Sequence, residues 1–201
     1  MHAAPGGTME GARADRLETF RVLARDQIPR LYSLARRLLG DDAEDAVQDC
    51  LMKAFQRFDQ LKDTGAGPAW LTSILVNCCR DRGRARARQP DEVDFDDVEQ
   101  FSLYRTIAYE DPFPYSDTLH LDFLQEFGRE DVRAVLMRLP LLYRTPLVLV
   151  YMDSYLAREV AEMLGVPLGT VLARLHRGRK LFEKQMWDYA EQSGLLREDA
   201  R

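Results

Sequence analysis

The chain has 201 residues, of which 46% are hydrophobic and 30% charged, with a formal net charge of −5. That length holds one moderate domain or two small ones, and no apolar run approaches the roughly 18 residues that a membrane span requires. Net acidity does not exclude a nucleic-acid partner, because phosphates are met by local basic patches and not by the whole-chain sum.

Two basic patches are present. Arg80, Arg82, Arg84, Arg86 and Arg88 are opposed only by Asp81, and a second cluster runs from Arg174 to Lys180. Between them, Asp91, Glu92, Asp94, Asp96, Asp97, Glu99, Glu110, Asp111, Asp117, Asp122 and Glu126 face a single base, Arg105. Cys50, Cys78 and Cys79 form no CxxC, and neighbours such as Cys78 and Cys79 point to different faces of a helix. Reduced thiols are therefore expected, with no disulfide, metal or cofactor. No Walker loop, HExxH or Ser-His-Asp constellation is present, so no catalytic activity is expected. The N-terminal stretch lacks a basic segment followed by an apolar core, which points to a cytoplasmic location.

In chain order, residues 1–13 are small and polar and are expected to be disordered. Leu17, Phe20, Leu23, Ile28, Leu31, Leu34, Ala35 and Leu38 recur helically until Gly40. Pro29 within the run predicts a pair of helices or one kinked helix. Asp41 or Asp42 caps the next helix, in which Ala43, Val47, Cys50, Leu51, Ala54 and Phe58 form a buried stripe. Its outer face carries Glu44, Asp45, Gln48, Asp49, Lys53 and Gln56. Acids in a first turn suit the helix dipole even without a partner.

Asp59 to Ala69 has the Gly and Pro content of a loop, and Pro68 suits the first position of the following helix. Trp70, Leu71, Ile74, Leu75 and Cys78 bury one side of that helix. Ser73, Asn77, Arg80, Arg84 and Arg88 form the opposite stripe: an amide able to pair with a base edge, followed by guanidiniums spaced to track phosphates. Asp81 is expected to pair with Arg84 within the helix. Residues 89–117 show no sustained period and read as a flexible acidic linker with interleaved aromatics.

Leu119, Phe123, Leu124 and Phe127 predict a short helix ended by Gly128. A second helix carries Val132, Val135, Leu136 and Leu139 and stops near Pro140. Thr145 and Pro146 read as N-cap and first position of a helix through Met152. Leu156, Val160, Ala161 and Leu164 then share one helical face, with Gly165 as the residue tolerant of positive φ at its end. Pro167 opens a further helix that buries Val171, Leu175, Gly178 and Phe182. Helix, tight turn, helix is the result, and the second helix leaves Thr170, Arg174, His176, Arg177, Arg179 and Lys180 on its outer faces, as a helix lying in a DNA major groove requires. A helix end and a polar tail follow from Trp187.

Three stretches resemble one family. EVAEMLGVP followed by GTV and RLHRGRK resembles the C-terminal DNA-binding segment of bacterial sigma factors of the extracytoplasmic-function group, within the sigma-70 family. AEDAVQDCLMKAFQRFDQL resembles the family's polymerase-docking helix. WLTSILVNCCRDRGRARAR resembles its promoter-melting segment, with the WLxxIxxNxxxDxxR pattern intact at Trp70, Leu71, Ile74, Asn77, Asp81 and Arg84. A fourth stretch, LPLLYRTPLVLVYMDSY, resembles the family's segment that meets the polymerase flap.

The resemblance implies an all-α protein of two small helical domains joined by the acidic linker. Residues 14–88 would form the region 2 helical bundle, 118–188 the region 4 helix-turn-helix domain, and 189–201 a tail. Asp45, Gln48, Asp49 and Lys53 would face the clamp helices of the largest subunit of core RNA polymerase, with Val47, Leu51 and Phe55 holding the domain together. Gln60, Lys62, Asp63 and Thr64 of the loop, with Ser73, Asn77, Arg80, Arg84 and Arg88, would bind the opened minus-ten strand. Thr170, Leu172, Ala173, Arg174, His176, Arg177 and Lys180 would read the minus-thirty-five duplex. Partners implied are core RNA polymerase, including the flap of its second subunit, promoter DNA and an anti-sigma factor, with no membrane.

Two departures stand out. Leu172 and Ala173 replace a basic residue and Ser, and apolar side chains there either contact thymine methyls or pack against the preceding helix. Leu156, Ala157 and Arg158 replace a Ser, an aromatic and a Glu, which removes a helix cap. The rival readings are a free-standing helix-turn-helix regulator acting as a dimer, and a Cys-dependent enzyme using Cys78 or Cys79 with His120 or His176. The first leaves the Asp45 to Asp49 face and the Asn77 stripe unexplained. The second places its nucleophile inside a helix.

Overall fold

The computed structural model describes residues 7–86 and 127–194, and the chain forms two compact units, Met1–Arg82 and Gly83–Arg201. No strand occurs among the described residues.

The first unit is built on α1 (Gly7–Leu39), α2 (Ala43–Gln56) and α3 (Gly67–Arg86) as far as Arg82, with short 3-10 turns at Gly40–Asp42, Phe58–Gln60 and Thr64–Ala66. Helix α1 begins at Gly7, so the disorder expected over 1–13 does not extend to residues 7–13; residues 1–6 lie outside the described part. Pro29 neither breaks nor divides α1. Proline removes the bond to the carbonyl four residues back. Here Pro29 and Arg25 both lie on the exposed face, where water can take that carbonyl. Leu17 and Ile28, expected inside, are 52% and 40% exposed, and Ala24 is buried in their place.

Gly40 ends α1 as the pattern requires, with φ of 66°. Arg36 donates to the Gly40 carbonyl at 3.3 Å and to Asp41 at 2.9 Å. Asp42 occupies the N-cap position of α2 without a side-chain capping bond.

The buried face of α2 is made of Ala43, Ala46, Val47, Cys50 and Ala54. Small side chains there allow close approach of the Leu31, Leu34, Ala35 and Leu38 face of α1, all four essentially removed from water. Leu51 is half-buried. Phe55 remains 37% exposed, but its ring meets Phe20 edge-on at 5.2 Å. Phe20 also meets Phe58 at 5.3 Å, and Phe58 lies 6.5 Å from Trp70. Such aromatic contacts add about 0.5–1.5 kcal/mol each beyond the area they bury. Arg16 closes this end of the unit, pairing with Asp59 at 2.8 Å and donating to the Phe55 carbonyl at 3.1 Å.

Helix α3 starts at Gly67, one residue before Pro68. A Cβ at Gly67 would stand 2.8 Å from Leu23 of α1, so glycine permits this close approach. Leu71, Leu75, Val76, Cys78 and Cys79 are almost fully buried, and the Cys50 thiol lies 3.5 Å from the Leu71 carbonyl.

The second unit comprises α4 (Arg129–Arg138), α5 (Leu141–Leu147) running into a π turn (Val148–Met152), α6 (Ala157–Leu164) and α7 (Leu168–Ser193). The helix expected to open at Thr145 and Pro146 opens earlier, with Pro140 at its N-cap. Pro140 supplies the same missing N–H and fixed φ that Pro146 was expected to supply. Thr145 and Pro146 are buried inside the helix. After the π turn, Asp153 N–H bonds the Val148 carbonyl at 3.1 Å and Tyr155 N–H the Leu149 carbonyl at 3.0 Å.

Leu156 is not part of the α6 core. It sits at the N-cap, 50% exposed, while Val160, Ala161 and Leu164 are buried. The absent Ser cap is offset from the other side, since the Leu156 N–H donates to Glu159 at 2.7 Å. That is half of a capping box.

Gly165 is left-handed at φ 62° and ψ 39°. Val166 N–H then reaches back to the Ala161 carbonyl at 3.1 Å, the long bond of a Schellman turn. Pro167 is the N-cap and α7 begins at Leu168.

Val171, Leu175, Gly178, Leu181, Met186 and Ala190 bury one side of α7. Phe182 is only half-buried, displaced from the stripe by Leu181. At Gly178 a Cβ would lie 3.1 Å from both Leu147 and Tyr143, so its absence sets how closely α5 and α7 pack. The helix runs past the expected domain end at 188 to Ser193, with Gly194 at φ 68° closing it. Met186 and Ala190 are fully buried, and Tyr189 donates to Asp131. Tyr189 and Ala190 thus belong with the domain, whereas Glu191, Gln192 and Ser193 are exposed, and residues 195–201 lie outside the described part.

Candidate functional site

Three surfaces collect the candidate residues. On α2, Asp45 and Gln48 are exposed and Asp49 and Lys53 half-buried. The carboxylates are not isolated. Arg82 of α3 donates through Nε and Nη2 to one oxygen of Asp49 at 2.9 and 2.6 Å, and through Nη1 to Asp45 at 3.4 Å. The Asp49 hydrogen bond raises the guanidinium pKa further, so Arg82 stays charged at any ordinary pH.

Lys53 makes a second cross-link, 3.5 Å from Asp81. The Cys78 sulfur and then Asp81 push its pKa up. Asp81 therefore pairs across helices, and not along α3 with Arg84 as expected. Its side chain lies towards α2, whereas Arg84 is on the exposed face.

The second surface is the outer side of α3 and the loop before it. Asn77 and Arg84 are exposed and Ser73 and Arg80 half-buried. The Asn77 amide nitrogen donates to the Ser73 carbonyl at 3.0 Å, which holds the carboxamide against the helix. In the loop, Gln60, Lys62 and Asp63 are exposed. Asp63 accepts from the Gly65 N–H at 2.8 Å, forming an Asx turn. Thr64 opens the 3-10 turn that leads into α3. Arg88 and the linker 89–117 lie outside the described residues.

The third surface is the first half of α7. Leu172 is 52% exposed. Ala173, His176 and Arg177 are exposed as well, and Thr170, Arg174 and Lys180 are half-buried. All project from a helix whose other side, Val171, Leu175 and Gly178, is buried. Leu172 and Ala173 thus do not pack on the preceding helix, which leaves apolar groups on an otherwise basic face. Arg179 is tied to Glu183 at 3.8 Å.

The cysteines are core groups. Cys50, Cys78 and Cys79 are buried and unbridged. Burial, reinforced by Cys78 and Cys79, pushes the Cys50 pKa up to about 12, and burial raises Cys78 despite nearby Lys53. Neither thiol is poised as a nucleophile, which requires a thiolate. Among the described residues no group of His, Cys, Asp and Glu is arranged to hold a metal ion.

Residues 23–89 match the Sigma-70 region 2 family model, and residues 129–182 match Sigma-70, region 4. The chain is 30% identical over 164 residues to the ECF RNA polymerase sigma factor SigW of Bacillus subtilis (strain 168), covering 79% of this chain and 84% of that protein. The chain belongs to the ECF group of the sigma-70 family.

A second relative of this sigma factor is ECF RNA polymerase sigma factor EcfG of Rhodopseudomonas palustris (strain TIE-1), 31% identical over 170 residues, 83% of this chain and 85% of that one. The sigma factor RpoE from Bartonella quintana, solved in complex with the anti-sigma factor NepR, shares its fold. That match has a TM-score of 0.54 and 23% identity, covering 89% of this chain and 98% of that chain. As a sigma factor it directs RNA polymerase to promoters. The free-standing dimeric regulator is not favoured by these matches.

Arg82 is the functional candidate that reading the sequence missed. Its place in an arginine run reads as one more phosphate contact, and only its distances to Asp45 and Asp49 assign it to α2.

Proposed function

We propose that the three surfaces divide the work of initiation. The α2 row of Asp45, Gln48, Asp49 and Lys53 meets the clamp helices of core RNA polymerase. Asn77, Ser73, Arg80, Arg84 and Arg88, with the Gln60 to Thr64 loop, hold the opened minus-ten strand. The outer face of α7, with Thr170, Leu172, Ala173, Arg174, His176, Arg177 and Lys180, enters the minus-thirty-five major groove.

The observation that carries this reading is the two-sidedness of α7: a buried stripe of Val171, Leu175 and Gly178 against an outward basic face. A recognition helix needs both. Flipping a base from the stack costs a few kcal/mol, so the minus-ten pocket must supply stacking and hydrogen bonds, with arginines holding the strand electrostatically.

The protein acts as a specificity subunit in the cytoplasm, with phosphoryl transfer left to the polymerase. The linker 89–117 carries the charge to enter a basic cleft, and the π turn after α5 lies in the segment that meets the flap. An anti-sigma factor is the natural regulator, in keeping with the partner of the Bartonella quintana relative.

The test is co-elution of the purified chain with core RNA polymerase, followed by run-off transcription on genomic fragments. New start sites support the reading. Binding of duplex DNA by the chain alone, with no co-elution, overturns it. Arg177→Ala should weaken duplex binding, and Asn77→Ala should impair strand opening more than initial binding. Identical behaviour of the two variants removes the division of labour.

A further inference from the structure

We infer that Arg82 is a positioning residue for polymerase docking, holding the Asp45 and Asp49 carboxylates of α2 in the arrangement the polymerase meets. This rests on the assignment of the α2 row to the polymerase.

The geometry is specific. Asp45, Asp49 and Lys53 follow one another at intervals of four and so form a single row on α2. Opposite this row, α3 presents Arg82 and Asp81. Arg82 places two donors on one Asp49 oxygen at 2.9 and 2.6 Å and a third donor 3.4 Å from Asp45. Asp81 meets Lys53 at 3.5 Å. The two links run in opposite senses, acid to base and base to acid, so they also fix the register between the helices.

Only a planar guanidinium can span both carboxylates in this way; a lysine is a point charge on a flexible stem. The pairs are also solvent-accessible, with side-chain exposures of 31% for Arg82, 39% for Asp49 and 63% for Asp45. Exposed pairs of this kind contribute little to folding stability. Their effect lies in order. Two acids already fixed in one rotamer lose less freedom when a partner docks, and each side chain spared that loss improves affinity by roughly two- to tenfold.

The same contact diverts one arginine of the α3 run from DNA. Arg80, Arg82 and Arg84 are consecutive alternate residues, yet Arg82 is turned to α2 while Arg84 lies on the exposed face. The polymerase-facing helix and the DNA-facing helix are thereby joined through one side chain.

The experiment measures the Kd of the full chain for core RNA polymerase without DNA, with thermal unfolding alongside, for Arg82→Ala, Arg82→Lys, Asp49→Ala and Arg82→Ala/Asp49→Ala. Arg82→Ala should raise Kd about fivefold, and Arg82→Lys should fall between it and the parent. In the Asp49→Ala background the Arg82→Ala change should shrink below about twofold, because Arg82 acts through that carboxylate. Thermal midpoints should move little.

Equal effects of Arg82→Ala in both backgrounds would mean direct contact with the polymerase and overturn the inference. So would parent-like affinity of Arg82→Ala beside a weakened Asp49→Ala, or a loss of affinity that simply follows a fall in thermal midpoint. If Asp49→Ala itself binds as the parent does, the α2 assignment fails and the inference with it, an outcome distinct from the failure of Arg82 alone.

Discussion

Gly165→Ala isolates the turn of the helix-turn-helix. The residue is left-handed, at φ 62° and ψ 39°, and an added Cβ meets nothing within 4 Å. The cost is therefore backbone alone, about 1–2 kcal/mol for a non-glycine residue in that region. Part is offset because alanine also restricts the unfolded chain, by about 0.4–1 kcal/mol. A net loss of about 1 kcal/mol remains, equivalent to roughly 4–8 °C in the midpoint of a domain this small.

Gly194 is the control. It is left-handed at φ 68° and equally open to a Cβ, but it closes the last turn of α7, where Glu191, Gln192 and Ser193 are exposed and fraying caps the loss. The assay is thermal unfolding of the full chain in a Trp70→Phe background, which leaves Trp187 of α7 as the only indole. Gly165→Ala should lower the midpoint by that interval and Gly194→Ala by less. A Gly165→Ala protein that melts with its parent would show that the turn does not depend on its left-handed residue, and a Gly194→Ala protein that melts below Gly165→Ala would show that the loss is not particular to the turn.

Other consequences follow from contacts elsewhere. Tyr189 O–H, then the Gly128 N–H, hold the Asp131 carboxyl below its ordinary pKa, and the same bond raises the Tyr189 phenol. A depressed carboxyl stabilises above its unfolded pKa, near 4, and that stability is lost as pH falls through the lower folded value. For the phenol, stability is present below about pH 10 and lost as pH rises through its raised folded value. Tyr189→Phe should flatten the melting profile of the second unit at both edges.

Gly178→Leu should cost the second unit about 1–3 kcal/mol by overpacking, because Leu147 and Tyr143 already stand 3.1 Å from the Cβ position. Gly178→Ala should stay within about 1 kcal/mol of the parent, its better helix propensity opposing the crowding. The three buried thiols should resist a water-soluble disulfide reagent until the chain unfolds, with Cys50 at about 12 the least reactive; rapid native-state labelling would contradict their burial. Asp49→Arg should abolish co-elution with polymerase, and it also faces Arg82 with a like charge, so Asp49→Ala is the cleaner probe of the interface.

Local rules determined much of this protein. A residue tolerant of positive φ at Gly165, a proline two positions on and an apolar period of three and four are sufficient for the helix-turn-helix, because the backbone and one buried stripe settle it without distant help. The same holds for the α2 stripe and for Gly40. The outward face of α7 with Arg174, His176 and Arg177 was legible for the same reason, since a helix that buries one side must expose the other. That Leu172 and Ala173 lie outside and do not pack on the preceding helix came from the structure.

Tertiary structure decided what depends on which surface lies opposite. Pro29 is harmless where its orphan carbonyl meets water, and sequence does not say which way that carbonyl faces. The end of α7 reads as a helix end and polar tail until Tyr189 meets Asp131 in the first turn of α4 and Phe127 before it. Asp81 has several candidate partners within its own helix, and Arg82 has no acid there but its neighbour Asp81. Charge pairing acts through distance, and the distances to Asp49 and Lys53 exist only once α2 and α3 have packed.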